Sequence, residues 1–341
     1  MFQLPMQTSG ESAAAYEPLV SILTPVYNGE AYLAACLESV QRQTYRNFRH
    51  VIINNCSTDA TLEIAQQFAA RDPRVTVVTN PEFVGIIENH NIAFRHVDPD
   101  AKYCKILSAD DLLFPDYLRS MVAAAERNPS AGFVGCYQIA GKRIRWQGFP
   151  FPDELINGRE LCRQMLHNTD PNFGFGTPTS LLVRADLVRG TEAFYPNNFI
   201  HADTSVCYRF LSQVDFAFVY QVLAMERLSE GSATPNAARM REEYLCMLGD
   251  LLSYGRAYLT EAEFAAARKD LVARYHRTLV ADLMAFKGRA FLAYHRQRMA
   301  ALGEPLNVSC LMWAALKRLA SEALNPREFV AKIRRRIRPA G

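Results

Sequence analysis

Five short segments rich in apolar and β-branched residues recur at an almost constant interval in the first part of the chain. They begin at Val20, Phe48, Val75, Tyr103 and Ala131, so successive starts are 28, 27, 28 and 28 residues apart. A strand, a crossover helix and the next parallel strand need about 30 residues, which fits this interval. Because sequences with helical periodicity lie between the segments, the pattern predicts an α/β domain with an open, mostly parallel sheet and helices on both faces.

The composition changes along the chain in a way that predicts four segments. We expect residues 1–17 to be a flexible lead-in and residues 18–137 to form the α/β domain. Residues 138–235 contain five prolines between positions 150 and 196, which predicts a loop-rich second lobe. Residues 236–341 carry long helical patterns with almost no proline or glycine, which predicts a helical C-terminal extension.

Charge and cysteine content narrow the class of protein. The net charge is +3, and residues 327–341 alone carry six basic residues and one acid. The remainder of the chain is therefore slightly acidic, which argues against a nucleic-acid partner. The eight cysteines stand at least 20 residues apart, which excludes zinc-ligand spacing and predicts a reduced, cytoplasmic protein. The N-terminal sequence lacks the cationic start and apolar stretch of a signal peptide, and no apolar run reaches about 18 residues, so we expect neither a signal peptide nor a membrane-spanning segment.

Polar clusters follow three of the predicted strands. The first strand ends in Thr24–Asn28, the second in Asn54–Asp59 and the fourth in Ser108–Asp111. In open α/β sheets, ligands bind beyond the carboxyl ends of the strands. Tyr27 offers a face for a base and Asn55 an amide for its edge, while paired aspartates suit Mg²⁺ or Mn²⁺ on a diphosphate. Taken singly, each cluster is more typical of a turn or a helix cap.

The order and spacing of these clusters resemble the family 2 glycosyltransferases of the GT-A fold. The resemblance covers Val20–Cys136 and is carried by VSILTPVYNGEAY, HVIINNCSTDATLEIA, NPEFVGIIENHNIAF and YCKILSADDLLFPDYL. It resumes more loosely in GTPTSLLVRAD, HADTSVCYRFL and ERLSEGSAT, where relatives carry acceptor-side motifs. The helical extension from residue 236 is not covered. The implied fold is thus a GT-A domain with a C-terminal helical extension.

The resemblance also implies roles for individual residues. The implied nucleotide-sugar contacts are Pro25, Tyr27, Asn28, Asn55, His90, Ser108, Asp110 and Asp111. Tyr27 matches the ring that lies against uracil, and Asn55 matches the position that reads the base edge. Asp110 matches the Asp-x-Asp motif and is the implied ligand of Mg²⁺ or Mn²⁺. Asp203 matches the acid of a Glu-Asp element that serves as the catalytic base, although its position also fits a helix N-cap.

Several positions depart from the family pattern. Ser108 replaces the first aspartate of the metal motif, which weakens the ribose or metal contact there. Asn54 and Asn55 replace the more usual acids and remove charge near the base. Ser229 stands where many relatives have histidine, and His90 where others have arginine or tryptophan.

The variable lobe and the neighbourhood of the proposed base contain further polar residues. His167, Asp170 and Asn172 are candidate acceptor contacts, although polar loop residues are usually only solvated. His201 lies beside the proposed base and is more typical of a structural neighbour than of a catalyst.

The C-terminal extension contains an apolar stripe followed by a basic tail. The stripe comprises Val308, Leu311, Met312, Ala315, Leu316, Leu319, Ala320 and Ala323, with Trp313 at its margin. A basic amphipathic helix with aromatic anchors is typical of a membrane-surface element. The alternative is that the stripe packs on the catalytic lobe and the cations favour the helix end.

Together these patterns predict an inverting, metal-dependent glycosyltransferase that uses a nucleotide-sugar donor, with UDP as the expected nucleotide. The expected acceptor is a glycan or a lipid-linked hydroxyl in bacterial cell-surface polysaccharide biosynthesis, on the cytoplasmic face of the membrane. One alternative is a sugar nucleotidyltransferase, although PVYNGEAY lacks the glycine-rich basic loop of that chemistry. Another is a degenerate sugar- or membrane-binding module, which the lost acids favour.

Overall fold

The computed structural model describes residues 17–149, 151–167, 174–196, 201–228, 240–284 and 288–324. Its strands are β1 (Val20–Val26), β2 (Phe48–Asn54), β3 (Val75–Thr79), β4 (Tyr103–Ile106), β5 (Leu112–Leu113), β6 (Ala131–Ala140), β7 (Arg143–Arg145), β8 (Leu155–Ile156), β9 (Leu181–Arg184) and β10 (Asp215–Glu226). Its helices are α1 (Leu33–Gln41), α2 (Thr61–Arg71), α3 (Ile86–Arg95), α4 (Tyr117–Arg127), α5 (Gly158–His167), α6 (Ala185–Arg189), α7 (Ala202–Phe210), α8 (Glu242–Tyr254), α9 (Glu261–Met284), α10 (Arg289–Ala301) and α11 (Val308–Leu324).

The strands form one mixed sheet in the order β3-β2-β1-β4-β9-β6-β10-β5. β1 pairs in parallel with β2 and β4, and β2 pairs in parallel with β3. β9 is antiparallel to both β4 and β6, so β6 runs in the same direction as β4. The predicted α/β fold with a mostly parallel central sheet is confirmed.

Helices cover both faces of this sheet. Val20 and Ile22 of β1 share an apolar cluster with residues of α1 and α4, and Val26 shares a second cluster with α1 and α2. Side chains alternate along a strand, so Ser21 points to the opposite face. The backbone N–H of Asp98, just beyond α3, donates to the Ser21 hydroxyl at 3.2 Å, and α3 packs on β1 and β2. Because helices cover both faces of the sheet, its polar residues are left at the carboxyl ends of β1, β2 and β4. We call this end of the sheet the polar edge.

The chain divides into two compact units. The first takes in the described residues of Met1–Leu155, Phe175–Phe194 and Phe216–Arg227, and the second those of Ile156–Gly174, Tyr195–Asp215 and Leu228–Gly341. The segment 138–235, expected as one lobe, therefore contributes to both units. The physical reason is that its apolar runs TSLLV and DFAFVYQVL supply β9 and β10, which bury their side chains in the sheet.

The second unit contains the predicted helical extension as α8 to α11. The outer side of α11 is apolar and open: Val308, Met312, Trp313 and Leu316 are 57–67% exposed. α11 packs against α9, within its own unit. Residues 327–341, the predicted basic tail, lie outside the described residues. Of the described helices, none has the length and apolar character needed to cross a membrane.

Candidate functional site

Hydrogen bonds between the loops after β1 and β2 fix the polar edge of the sheet. Asn28 has a φ of 48°, and its Oδ1 accepts a hydrogen bond from the Thr58 backbone N–H at 2.8 Å. The Asn28 N–H in turn donates to the Ser57 Oγ at 3.0 Å, and the Gly29 N–H donates to the Thr61 Oγ1 at 2.7 Å. Asparagine tolerates this left-handed backbone better than most residues. Asn28 therefore shapes the loop on which Tyr27 stands.

Tyr27 forms an exposed aromatic pair with Phe83. The two side chains are 48% and 59% exposed, and their ring centroids lie 4.7 Å apart at 57°. Exposed aromatic faces bind bases by stacking without requiring a particular sequence of hydrogen-bond donors. Phe83 was not a sequence candidate because it lies in the loop NPEF after β3, outside the three strand-end clusters.

Asn55 is buried, and both the nitrogen and the oxygen of its side-chain amide form hydrogen bonds. Its Nδ2 donates to the Val84 carbonyl at 2.8 Å, and its Oδ1 accepts from the Val84 N–H and from Asn80 Nδ2, each at 3.0 Å. The side chain thus clamps the loop that carries Phe83. An aspartate at this position has no donor for the Val84 carbonyl, which explains the asparagine.

Asp111 is the buried member of the aspartate pair after β4. Its Oδ1 accepts a hydrogen bond from the Arg227 backbone N–H at 2.9 Å, and its Oδ2 accepts one from the Thr179 hydroxyl. Burial, with the charge of Asp110, raises the pKa of Asp111 to about 7. Both carboxylate oxygens are engaged inside the protein, so Asp111 organises the site.

Lys105 holds the loop that supports Asp111. This fully buried residue of β4 donates from Nζ to the carbonyls of Pro178 at 2.7 Å and Leu181 at 3.2 Å, and also to that of Thr179. Burial lowers the pKa of Lys105 to about 7. No sequence pattern indicates this role, since a lysine inside a short strand normally indicates an edge or a solvent face.

Asp110 is half-buried, and no other described residue donates a hydrogen bond to its carboxylate. Burial raises the pKa of Asp110, and the Arg227 charge opposes that rise. Arg227, which follows β10, donates from Nε to the Asp110 carbonyl at 3.1 Å, and its guanidinium lies 4.6 Å from the Tyr32 ring centroid. Arg227 is a functional candidate that sequence reasoning missed.

The side chains around Asp110 fit a metal ion whose remaining ligands come from the substrate. Within the described ranges, no group of three or more His, Cys, Asp or Glu side chains is placed to hold an ion. Mg²⁺ usually binds through one or two carboxylates together with substrate phosphates, not in an all-protein cage. The available carboxylate of Asp110, next to the half-buried Ser108, meets that requirement.

The remaining donor-side candidates are placed as follows. Pro25 is buried within β1. His90 lies in the first half of α3, with its Nδ1 at 2.8 Å from the Ile86 carbonyl, so the proton is on Nδ1. Burial lowers the pKa of His90, which favours a neutral ring.

Asp203 lies in the second unit, in the first turn of α7. The N-cap of this helix is His201, so the N-cap interpretation of Asp203 is wrong by two positions. Its Oδ1 accepts a hydrogen bond from the Thr204 N–H at 2.9 Å, and the residue is half-buried. A carboxylate in the first turn faces the positive end of the helix dipole, which stabilises its charged form.

Asp250 of α8 is a second acid in this region and has no local sequence signal. It is 3% exposed and accepts a hydrogen bond from the Ser205 Oγ at 2.5 Å. Burial, with the charge of Asp203, raises the pKa of Asp250 to about 7. Of the acceptor candidates, His167 ends α5, whereas Asp170 and Asn172 lie outside the described residues, as does Ser229.

Comparison with known proteins identifies the domain that carries the strand-end site. The family model for glycosyl transferase family 2 matches residues 21–189. This match identifies residues 21–189 as a glycosyl transferase family 2 domain. The chain is 27% identical over 207 residues to an uncharacterized glycosyltransferase of Haemophilus influenzae, covering 58% of this chain and 60% of that protein. It is 32% identical over 170 residues to a PGL/p-HBAD biosynthesis glycosyltransferase of Mycobacterium bovis, covering 49% of this chain and 65% of that protein.

Solved structures share the fold of this chain at low sequence identity. TarS residues 1–349 from S. aureus, in complex with UDP-GlcNAc, match with a TM-score of 0.59 at 16% identity, over 84% of this chain and 80% of that one. The mannosyltransferase PcManGT from Pyrobaculum calidifontis, in complex with GDP-Man and Mn²⁺, matches with a TM-score of 0.51 at 16% identity, over 89% and 88% of the two chains. The GT-A fold expected from the resemblance is confirmed.

Proposed function

We propose that this chain transfers a glycosyl group from a nucleotide-sugar, with UDP as the nucleotide, to an acceptor hydroxyl with inversion at the anomeric carbon. The observation that carries the proposal is the polar edge of the family 2 domain. Tyr27, which pairs with Phe83, follows β1, and the available carboxylate of Asp110 follows β4, the parallel neighbour of β1. The related structures named above contain UDP-GlcNAc, or GDP-Man with Mn²⁺, which supports this donor class.

The donor-side roles follow from these side chains. Tyr27 and Phe83 stack on the base, and Asn55 keeps the Phe83 loop in place. Asp110 would hold Mg²⁺ or Mn²⁺, which would supply positive charge to offset the negative charge that develops on the leaving diphosphate. Arg227, beside Asp110, adds a fixed positive charge.

The acceptor-side role belongs to Asp203. An acceptor hydroxyl becomes a good nucleophile when a base within hydrogen-bond reach takes its proton. The carboxylate of Asp203 takes that proton as the oxygen attacks the anomeric carbon, and the bond to the diphosphate breaks in the same displacement. One displacement at the anomeric carbon inverts its configuration.

The test is hydrolysis and transfer with a panel of UDP- and GDP-sugars, with and without Mn²⁺. We expect one donor to be consumed in a metal-dependent reaction, and Asp110→Ala to abolish the metal dependence. Asp100→Asn is the matched control, because Asp100 is an exposed acid with no assigned role. If no sugar nucleotide is consumed or bound, the chain is a degenerate module and the proposal fails.

The acceptor side of the proposal includes a membrane surface. The exposed apolar side of α11 and the six cations of residues 327–341 together suit peripheral attachment to anionic lipid on the cytoplasmic face, where a lipid-linked acceptor for surface polysaccharide is concentrated. Each cation near such a surface contributes about 1 kcal/mol, and salt screens the effect. Deleting residues 327–341 should release the protein from anionic vesicles while donor hydrolysis persists. If the full-length chain ignores such vesicles at low salt, this part is wrong.

A further inference from the structure

A cleft in the second unit is lined by residues from the start of α8 and the C-terminal half of α9. Its volume is about 400 Å³, and its lining is Arg241, Tyr244, Arg274, Arg277, Thr278 and Ala281. The four α9 residues are spaced by three, one and three positions, so they share one face of that helix. None of the described residues that line the cleft is acidic, and three of them are arginines.

Ion pairs behind the cleft fix two of these guanidinium groups. Arg241 Nε lies 2.8 Å from Asp282 Oδ2, and its Nη1 lies 3.7 Å from Glu243. Arg274 Nε lies 2.9 Å from Asp270 Oδ2. A guanidinium has five N–H donors, so each pair leaves donors for a further acceptor. The pairs therefore hold the arginines in place without using up their capacity to bind an anion.

Arg277 is the third arginine of the cleft, and the ion pairs of Arg241 and Arg274 do not involve it. It is exposed, and within the part of the chain that the structure describes it has no ion-pair partner. Around it lie the half-buried side chains of Tyr244 and Thr278, whose hydroxyl groups can also donate to an anionic oxygen. The cleft is thus a concentration of hydrogen-bond donors, in which the guanidinium of Arg277 has no ion-pair partner among the described residues.

We propose that this cleft binds a phosphate group, and that the phosphate belongs to an anionic lipid headgroup. Several guanidinium forks converging on one space match the tetrahedral oxygens of phosphate. The lipid source follows from α11, which packs against α9 and exposes the apolar side formed by Val308, Met312, Trp313 and Leu316. Clusters of basic residues at a membrane surface, including those on amphipathic helices, bind anionic lipid headgroups. The lipid assignment rests on the proposed membrane attachment, whereas phosphate binding does not.

The first arm of the test measures binding of inorganic phosphate to the full chain by calorimetry, at fixed ionic strength. We expect measurable binding that Arg277→Gln weakens about tenfold, since charge-assisted hydrogen bonds are lost. Arg296→Gln removes the same charge from an exposed position of α10 outside the cleft and should change binding less than about twofold. Absence of phosphate binding, or equal weakening by both variants, overturns the proposal.

The second arm uses phosphatidylcholine vesicles with and without phosphatidic acid. We expect phosphatidic acid to increase vesicle binding, Arg277→Gln to remove most of that increase, and added inorganic phosphate to compete. If phosphate binds in solution but phosphatidic acid adds nothing, the lipid assignment is overturned and the ligand is a soluble phosphate. Donor hydrolysis by Arg277→Gln should equal that of the parent, so failure here is distinct from failure of the proposed transferase activity.

Discussion

Each unit contains a buried aspartate coupled to a less buried one, but the two pairs are held differently. In the first unit, Asp111 receives hydrogen bonds from a backbone N–H and a hydroxyl, and Arg227 lies beside its partner Asp110. In the second unit, Asp250 accepts a hydrogen bond from the Ser205 hydroxyl, and among the described residues it has no ion-pair partner. The pKa of each buried acid is raised to about 7.

We infer from these different partners that the two aspartate pairs serve different roles. In the first unit, the guanidinium of Arg227 lies beside Asp110 and supplies positive charge next to the two aspartates. This arrangement suits the binding of a diphosphate together with a metal. In the second unit, the charge of Asp203 adds to burial in raising the pKa of Asp250, so a buried, readily protonated acid lies beside Asp203. The difference agrees with the roles that we propose, a leaving-group site at Asp110 and a base at Asp203.

The largest expected effect separates these two uses. Asp203→Asn keeps the shape and the hydrogen bond from Thr204 but cannot accept a proton, so glycosyl transfer should fall about 10²–10⁴-fold. UDP binding should be unchanged, because the donor-side residues are intact. If the variant keeps more than about a tenth of the parental kcat, another group such as His201 or Asp170 carries the proton.

A stability comparison tests the two buried acids directly. The pKa of Asp250 is raised from 3.8 to about 7, so its contribution to the free energy of unfolding is full below the unfolded pKa and is lost as the pH rises through about 7. Asp250→Asn should therefore stabilise the protein at alkaline pH, by at most about 4 kcal/mol, and have little effect at acidic pH.

The same change at Asp111 should not stabilise the protein. Its two oxygens accept from the Arg227 N–H and from the Thr179 hydroxyl, and asparagine has only one accepting oxygen, so at least one of these bonds is lost or reversed. Asp111→Asn should thus lower the free energy of unfolding below about pH 7, and the loss should shrink in alkaline solution, where the parent must bury a charged Asp111. Urea unfolding of both variants across the pH range checks this, and equal behaviour of the two variants contradicts the comparison.

A smaller effect is expected at the aromatic pair. Tyr27→Ala should weaken UDP binding about tenfold, because base stacking on an aromatic ring contributes about 1–3 kcal/mol. Tyr27→Phe should restore most of the affinity. Phe151→Ala is the matched control, since Phe151 is an aromatic side chain of the same unit that is 78% exposed. Equal losses in Tyr27→Ala and the control place the base elsewhere.

Most of the sheet could be predicted from the sequence, because the 28-residue interval and the strand-end clusters are local patterns. The placement of β9 between β4 and β6, and of β10 on the other side of β6, could not, since it depends on pairing across long sequence separations. Asp110 was found through its motif. Arg227, Lys105 and Asp250 were not, because each acts through contacts 45 or more residues away and has no pattern around it.

Asn55 shows a second reason for incomplete prediction. Its position follows β2, as a base-reading residue requires, and the prediction that it contacts the nucleotide stays a prediction. What the sequence could not indicate is that the amide closes on the Val84 backbone and on Asn80. Such contacts depend on where an irregular loop returns, which no periodicity encodes.

The measurement that tests the central claim most directly is calorimetric titration of UDP with and without Mn²⁺, on the parent, Asp110→Asn and Asp100→Asn. We predict that Mn²⁺ tightens UDP binding about tenfold or more in the parent and the Asp100 variant, and not in the Asp110 variant. Because the pKa of Asp110 is raised, the tightening should weaken as the pH falls and the carboxylate is protonated. Equal UDP affinity with and without Mn²⁺ in the parent would contradict the metal-assisted site at the end of β4.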